Sequence, residues 1–388
     1  MSLFNLSSTI HKALSAAGLD PRSKRLAAVT DTIRNALNAA GLIQSPAQES
    51  GAATPAERGR PMPRTAGASS AEKSRRSEPA WGEFTDVTDV TGVEEVTDAK
   101  EVTGGVGQFK AFTYANAKAQ REYKLYVPSN YTGQPMPLIV MLHGCKQNPD
   151  DFARGTRMNG LAEQHGFLVV YPAQTSRANG SNCWNWFSRP EQTRDGEEPS
   201  LIAGMVGHVG ASYEVDTSRV FAAGLSAGAA MAAIVGARYP EVFKAVAVHS
   251  GLPLGAANNV PSAFAAMQGR PRNLPQVSGH AVPTLVFHGD ADNTVAASNG
   301  RLVTEQAVNA FDATAPQPLN EQVAAPRRVG GRDCTVTRYV DSTGRAQVEA
   351  WVVNGAGHAW FGGSNDGSYT DAKGPDASSE MVRFFLAH

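Results

Sequence analysis

The sequence predicts an α/β fold: a mostly parallel central sheet with helices on both faces, over residues 105–388, preceded by a small helical segment and a disordered linker. Three observations carry this reading. After about residue 105, short apolar runs alternate with stretches of helical periodicity. Some of those runs, such as Leu138-Ile139-Val140-Met141-Leu142, are apolar at every position, as strands covered on both faces are. Residues 44–80, in contrast, contain no Val, Ile, Leu, Phe, Tyr or Trp, and so bury too little apolar area to offset the entropy of ordering.

Taken in order, residues 1–43 hold an internal repeat. Thr9-Ile10-His11-Lys12-Ala13-Leu14-Ser15-Ala16-Ala17-Gly18-Leu19 returns as Thr32-Ile33-Arg34-Asn35-Ala36-Leu37-Asn38-Ala39-Ala40-Gly41-Leu42. Asp20 suits an N-cap, Pro21 a first turn and Gly41 a left-handed C-terminal stop, so the repeat reads as a helical hairpin. Residues 44–104 are the linker; within them Val87, Val90, Val93 and Val96 recur every three residues, matching neither the strand nor the helix period. The domain over 105–388 then gives strands at 121–127, 138–142, 167–171, 220–223, 245–248, 284–287 and 348–353. Helices are predicted at 151–165, 200–213 and 227–238.

Composition excludes several classes. Lys and Arg number 35 against 36 Asp and Glu, a net charge of -1, so nothing selects nucleic acid. No apolar run approaches the ~20 residues of a membrane span, and the start lacks a secretory leader's basic, apolar and small-residue regions, which points to the cytoplasm. Three cysteines lack zinc-ligand spacing and allow at most one intramolecular bridge; no metal or organic cofactor is expected.

The sharpest local signal is Gly224-Leu225-Ser226-Ala227-Gly228, between the strand at 220–223 and the helix at 227–238. A strand entering and a helix leaving put Ser226 on a strained elbow from which its hydroxyl protrudes. A serine needs a base, and the base an orienting carboxylate. Thr284-Leu285-Val286-Phe287-His288-Gly289-Asp290-Ala291-Asp292 is a strand ending in two carboxylates, of which Asp292 is favoured. Ala350-Trp351-Val352-Val353-Asn354-Gly355-Ala356-Gly357-His358 is a strand ending in a glycine-flanked histidine. The chain order Ser226, Asp292, His358 is that of the α/β-hydrolases. Oxyanion donors are expected from the backbone N–H groups of Ala227 and of Cys145, in Leu142-His143-Gly144-Cys145, with His143 organising the loop rather than exchanging protons.

From about Gly107 onward the chain resembles the polyhydroxybutyrate depolymerase esterase family, which includes feruloyl and acetylxylan esterases. Leu142-His143-Gly144-Cys145, Asn182-Cys183-Trp184-Asn185-Trp186-Phe187, the Ser226 pentapeptide, Tyr239-Pro240, His249-Ser250-Gly251, His288-Gly289-Asp290-Ala291-Asp292 and Gly357-His358-Ala359-Trp360 carry the likeness. The resemblance implies a serine esterase acting on short-chain hydroxyalkanoate polyester or oligomers, with Asp292 in the triad and Trp360 lining the ester groove. It also departs from the family, whose members are mostly extracellular and often carry a polymer-binding domain. Trp184, Trp186 and Trp360 are expected as apolar walls for an acyl chain, core packing being the alternative. The paired motifs imply a Cys145–Cys183 disulfide, which a reducing compartment would leave as thiols. Rival readings are a feruloyl or acetylxylan esterase, and a binding protein that docks to polyester granules through residues 1–43.

Overall fold

The computed structural model describes residues 107–271, 274–275 and 281–388. The repeat over 1–43, the linker over 44–104 and the first two residues of the 105–388 domain lie outside the described residues. The elements run β1 (Gln108–Ala115), β2 (Gln120–Val127), β3 (Met136–Leu142), α1 (Pro149–Thr156), α2 (Met158–His165), β4 (Leu168–Pro172), α3 (Glu197–Gly210), β5 (Val215–Leu225), α4 (Ala227–Arg238) and β6 (Ala245–His249). There follow α5 (Val260–Met267), β7 (Thr284–Gly289), α6 (Ser298–Asp312), β8 (Asn320–Val323), β9 (Arg327–Val329), β10 (Arg332–Val340), β11 (Ala346–Val353), β12 (Trp360–Phe361), β13 (Thr370–Asp371) and α7 (Ala377–Leu386).

The main sheet has the order β1-β2-β4-β3-β5-β6-β7-β11-β10-β8, with β9 also on β10; β12 and β13 form a separate pair. Every pairing from β4 across to β11 is parallel, and the flanking strands are antiparallel. This is the mostly parallel sheet of an α/β-hydrolase.

The all-apolar strands divide their side chains between two cores, as the two-residue period of a strand requires. Leu138, Val140 and Leu142 of β3 join Val220 and Ala222 of β5 under Ile202, Met205, Ile234 and Val235 of α3 and α4. Ile139 and Met141, with Phe221 and Ala223, face the other way onto Phe152, Met158, Met381 and Phe385 of α1, α2 and α7. Each fully buried Leu, Ile or Phe in such a layer contributes about 1.5–3 kcal/mol relative to exposure.

The helix predicted over 151–165 is two helices. Arg157 adopts φ 54° and closes α1 with its own N–H on Ala153 O. The carbonyl of Thr156 is taken by Ser378 Oγ–H at 2.6 Å instead of continuing a helical ladder. The helix predicted over 200–213 runs Glu197–Gly210, and β1, α5 and α6 were not predicted from periodicity.

The topology also fixes where a ligand belongs. From β3 the chain moves to β4 on one side and then returns to β5 on the other, so the order reverses between β3 and β5. Crevices at the carboxyl ends of strands open at such a switch point. Leu142 and Gly224 are paired there, immediately before the Cys145 loop and Ser226.

Candidate active site

Ser226 lies between β5 and α4 with φ 58° and ψ −117°, a backbone conformation that L residues rarely hold and that costs on the order of 1–3 kcal/mol. Two bonds hold it: its N–H donates to His249 O at 2.9 Å, and its carbonyl accepts from Ala230 N–H at 3.0 Å. The glycines of the pentapeptide are there for space. A Cβ on Gly224 would stand 2.4 Å from the Gly228 carbonyl carbon, and one on Gly228 would stand 2.1 Å from Leu142 O. The elbow therefore presses backbone to backbone against the end of β3. Ala227 is the first residue of α4, where an N–H has no intrahelical acceptor.

Asp292 follows β7 and His358 follows β11, strands paired at Gly289 and Val353. His358 Nδ1–H donates to Asp292 Oδ2 at 2.7 Å; the carboxylate side chain is fully buried and the imidazole is 11% exposed. The other carboxylate oxygen accepts the N–H groups of Thr294 and Val295, both at 2.8 Å. Burial works to raise the Asp292 carboxyl. The His288 imidazole, with Nε2 3.5 Å from Oδ2, the hydrogen bond and charge of His358 and the Val295 N–H overcome it and hold the group well below the usual carboxylate range. Asp290 has a different place, accepting Gly355 N–H at 2.6 Å and so bracing the loop before His358. Among the described residues, His358 Nε2 and Ser226 Oγ carry no hydrogen bond. Such contacts are often long before substrate is bound.

Two further histidines organise the site, and neither had a role in the sequence reading. His288 Nε2–H donates to Val295 O at 2.8 Å and closes the loop that carries Asp292. His249 is fully buried between Phe287 and Trp360; its Nε2 accepts Phe361 N–H at 3.2 Å while its carbonyl holds Ser226. Burial, with His288 and His358 nearby, pushes its imidazole well down, so it stays neutral. The sequence signal was present: each follows a run of apolar residues at or next to the end of its strand, Ala245–His249 and Thr284–Gly289.

The loop after β3 is built from side chains. Cys145 and Cys183 form a disulfide. Gly144 N–H donates to Gln147 Oε1, Lys146 N–H to Ser181 O and Gln147 N–H to Gly144 O, which leaves the Cys145 N–H without a protein acceptor among the described residues. His143 is 1% exposed; its Nε2 accepts Gln174 N–H at 3.1 Å, so its Nδ1–H donates to Gly144 O at 2.8 Å. Burial pushes this imidazole down to about 4. His143 thus braces the loop in one neutral tautomer.

The tryptophan walls expected from sequence are not open surfaces. Trp184, Trp186 and Trp360 are 1%, 6% and 1% exposed. Trp184 Nε1–H donates to His143 O at 3.0 Å, and Trp360 Nε1–H donates to Ser378 Oγ at 3.0 Å with its ring edge-on to Phe152. These rings are buried in the core, because the loop carrying Trp184 and Trp186 and the short strand β12 carrying Trp360 fold inward. Among the described residues, no group of three or more His, Cys, Asp or Glu is placed to hold a metal ion, and no helix is long and apolar enough to cross a membrane.

The sequence signature described as esterase PHB depolymerase matches residues 121–321. The chain belongs to this family. Among its relatives, poly(3-hydroxyalkanoate) depolymerase C of Paucimonas lemoignei is 32% identical over 246 residues, covering 60% of this chain and 57% of that protein. Probable acetylxylan esterase A of Aspergillus fumigatus is 28% identical over 292 residues, 68% of this chain and 75% of that protein. Feruloyl esterase B of Neurospora crassa is 35% identical over 190 residues, 44% of this chain and 63% of that protein. The chain thus spans less than two thirds of the length of the first and third of these relatives. An acetyl xylan esterase from Aspergillus awamori superposes over 72% of this chain and all of its own, at TM-score 0.58 and 23% identity, and shares the fold.

Proposed function

We propose that the chain is a serine carboxylesterase that hydrolyses short-chain poly(3-hydroxyalkanoate) polyester or its oligomers through an acyl-enzyme. The observation that carries this reading is the 2.7 Å bond from His358 Nδ1–H to Asp292 Oδ2, after the carboxyl ends of β11 and β7, in the same run of parallel strands as β5, which leads into Ser226. In the proposed reaction Ser226 Oγ attacks the ester carbonyl carbon and its proton passes to His358 Nε2. Asp292 stabilises the imidazolium and keeps the ring oriented. The carbonyl π bond opens onto oxygen, and that oxyanion is met by the N–H groups of Ala227 and Cys145, each such donor being worth roughly 10²–10³ in rate. The C–O bond to the leaving alcohol breaks as His358 returns the proton to it. Water then attacks the acyl-enzyme with the same proton transfers and frees the carboxylic acid and Ser226.

The substrate class is supported by the relative named as a poly(3-hydroxyalkanoate) depolymerase. A second reading, an acetylxylan or feruloyl esterase, is favoured by the larger share of the relatives so named that the chain covers. Both use the same residues. The test is hydrolysis of amorphous polyhydroxybutyrate, hydroxybutyrate dimer, acetylated xylan oligomers and methyl ferulate by the full chain beside Ser226→Ala. Hydroxybutyrate release that falls by about 10⁴-fold or more in Ser226→Ala is the expected result. Serine-dependent release of acetate or ferulate alone would replace the substrate, and turnover retained by Ser226→Ala would remove the nucleophile.

A further inference from the structure

Glu198, in the first turn of α3, is an acid that the proposed chemistry does not use. It is 1% exposed, and among the described residues no cation pairs with it. A carboxyl is rarely buried this way without partners that need it. Its oxygens accept three N–H donors: Oε1 from Gln174 Nε2 at 2.5 Å and Asn185 Nδ2 at 2.6 Å, and Oε2 from the Asn185 backbone at 2.7 Å. Burial outweighs these bonds and, with Glu191 close by, pushes the carboxyl up to about 7.

Both partners of Glu198 act on the loop after β3. Gln174 Nε2 also donates to Cys183 O at 3.0 Å, and Gln174 N–H holds His143 Nε2. Asn185 follows Trp184, whose indole N–H holds His143 O, and Cys183 is bonded to Cys145. The residues beside the two half-cystines, Lys146 (φ 65°) and Asn182 (φ 50°), sit in left-handed backbone that persists only where the surroundings fix it. Gln174 has no freedom to turn its amide, since its Oε1 is taken by Arg121 Nε and Thr175 N–H. One covalent and two hydrogen-bonded routes therefore run from Glu198 to the segment 143–145.

We infer that Glu198 is a positioning residue, fixing Gln174 and Asn185 so that the Cys183–Trp184 segment, and through it the Cys145 N–H, stays where an oxyanion forms. This rests on the proposed role of the Cys145 amide. Glu198→Gln keeps the volume but turns an NH₂ group toward a donor, and Asn185→Ala, in a half-buried loop, removes the side-chain amide, one of the three donors, while keeping the backbone N–H and leaving the α3 core untouched. The experiment measures kcat and KM on 4-nitrophenyl butyrate, inhibition by a phenylboronic acid that forms a tetrahedral adduct, and amide exchange over residues 143–147, all on full-length chains shown to be folded.

The expected result for both variants is a 10- to 100-fold loss of kcat with KM within about threefold, a parallel loss of boronate affinity, and faster exchange in 143–147. A folded variant that keeps kcat and boronate affinity within twofold overturns the proposal. If Glu198→Gln does not fold, Asn185→Ala decides by the same criteria. If the wild-type chain hydrolyses no ester in a Ser226-dependent way, the esterase reading falls. Unchanged exchange over 143–147 would overturn the positioning role by itself, with or without turnover.

Discussion

Ser226 and the Cys145 amide lie at the ends of adjacent strands, β5 and β3, and are held there by opposite means. The serine elbow is fixed by backbone against backbone: Gly224 on Gly228, Gly228 on Leu142 O, and one hydrogen bond to His249 O. The Cys145 loop is fixed by side chains that come from far along the chain. The disulfide reaches Cys183, Gln147 Nε2 reaches Asp151 Oδ2 and Ser368 O, and His143 reaches Gln174. One half of the proposed oxyanion site tolerates no added atom. The other is a network whose members each contribute a part.

The largest expected effect tests the element that both halves serve. Asp292→Asn leaves His358 without its carboxylate and favours the wrong imidazole tautomer, and kcat on a soluble ester is expected to fall about 10⁴-fold with the fold retained. Asp290→Ala removes only a brace on Gly355 N–H and is expected to lose less than about tenfold. Steady-state kinetics of the pair decides which carboxylate orients the base. Equal losses would place the orienting role outside Asp292.

The same contrast explains what could be read from sequence. The elbow is local, so Gly224, Ser226 and Gly228 announce it within five residues, and the all-apolar runs of β3 to β7 announce the parallel sheet. Asp292 and His358, which the fold joins by a hydrogen bond, could be picked out as candidates because each follows such a run. The braces around Cys145 were not, because Glu198, Gln174 and Asp151 have no spacing that marks them; only the fold brings Ser368 to Gln147 across 221 residues. The tryptophans misled for a related reason. A Trp among small polar residues looks exposed until the chain turns inward, as it does at Trp184 in its loop and at Trp360 in the short strand β12. The break at Arg157 was hidden too, since the side chain that takes the Thr156 carbonyl, Ser378, lies in the last helix.

A sharper probe of the backbone-held half is Gly228→Ala. The added Cβ meets main-chain oxygens of Leu142 and His143 at 2.1 and 2.5 Å, atoms that cannot swing away as a flexible side chain would. Loss of about 3 kcal/mol or more of stability is expected, or failure to fold, read by urea denaturation. An unchanged midpoint would mean that β3 and α4 can separate freely, and the contrast between the two halves would vanish.

The smallest expected effect comes from the network-held half and is a slope. Glu198 has its folded-state pKa raised to about 7 from 4.5, so between those values the folded chain keeps a proton that the unfolded chain has lost. With fewer protons bound at this site in the unfolded state, its contribution falls as pH rises through this window, full below about 4.5 and gone above about 7; buried His143 and His249 act in the opposite sense in both chains alike, so the difference between the chains reads Glu198. The shift sets an upper size on the order of 3 kcal/mol. Glu198→Gln cannot titrate and loses this slope, whatever it does to stability at any single pH. Asp292 does not obscure the test, because its depressed carboxyl acts in the opposite sense and at lower pH, where its contribution is lost as the carboxylate is protonated. Urea midpoints of both chains at pH 5 and pH 8 give the comparison. A wild-type stability change from pH 5 to pH 8 no more negative than that of Glu198→Gln would mean that the buried carboxyl is ionised throughout, held as an anion by its three N–H donors.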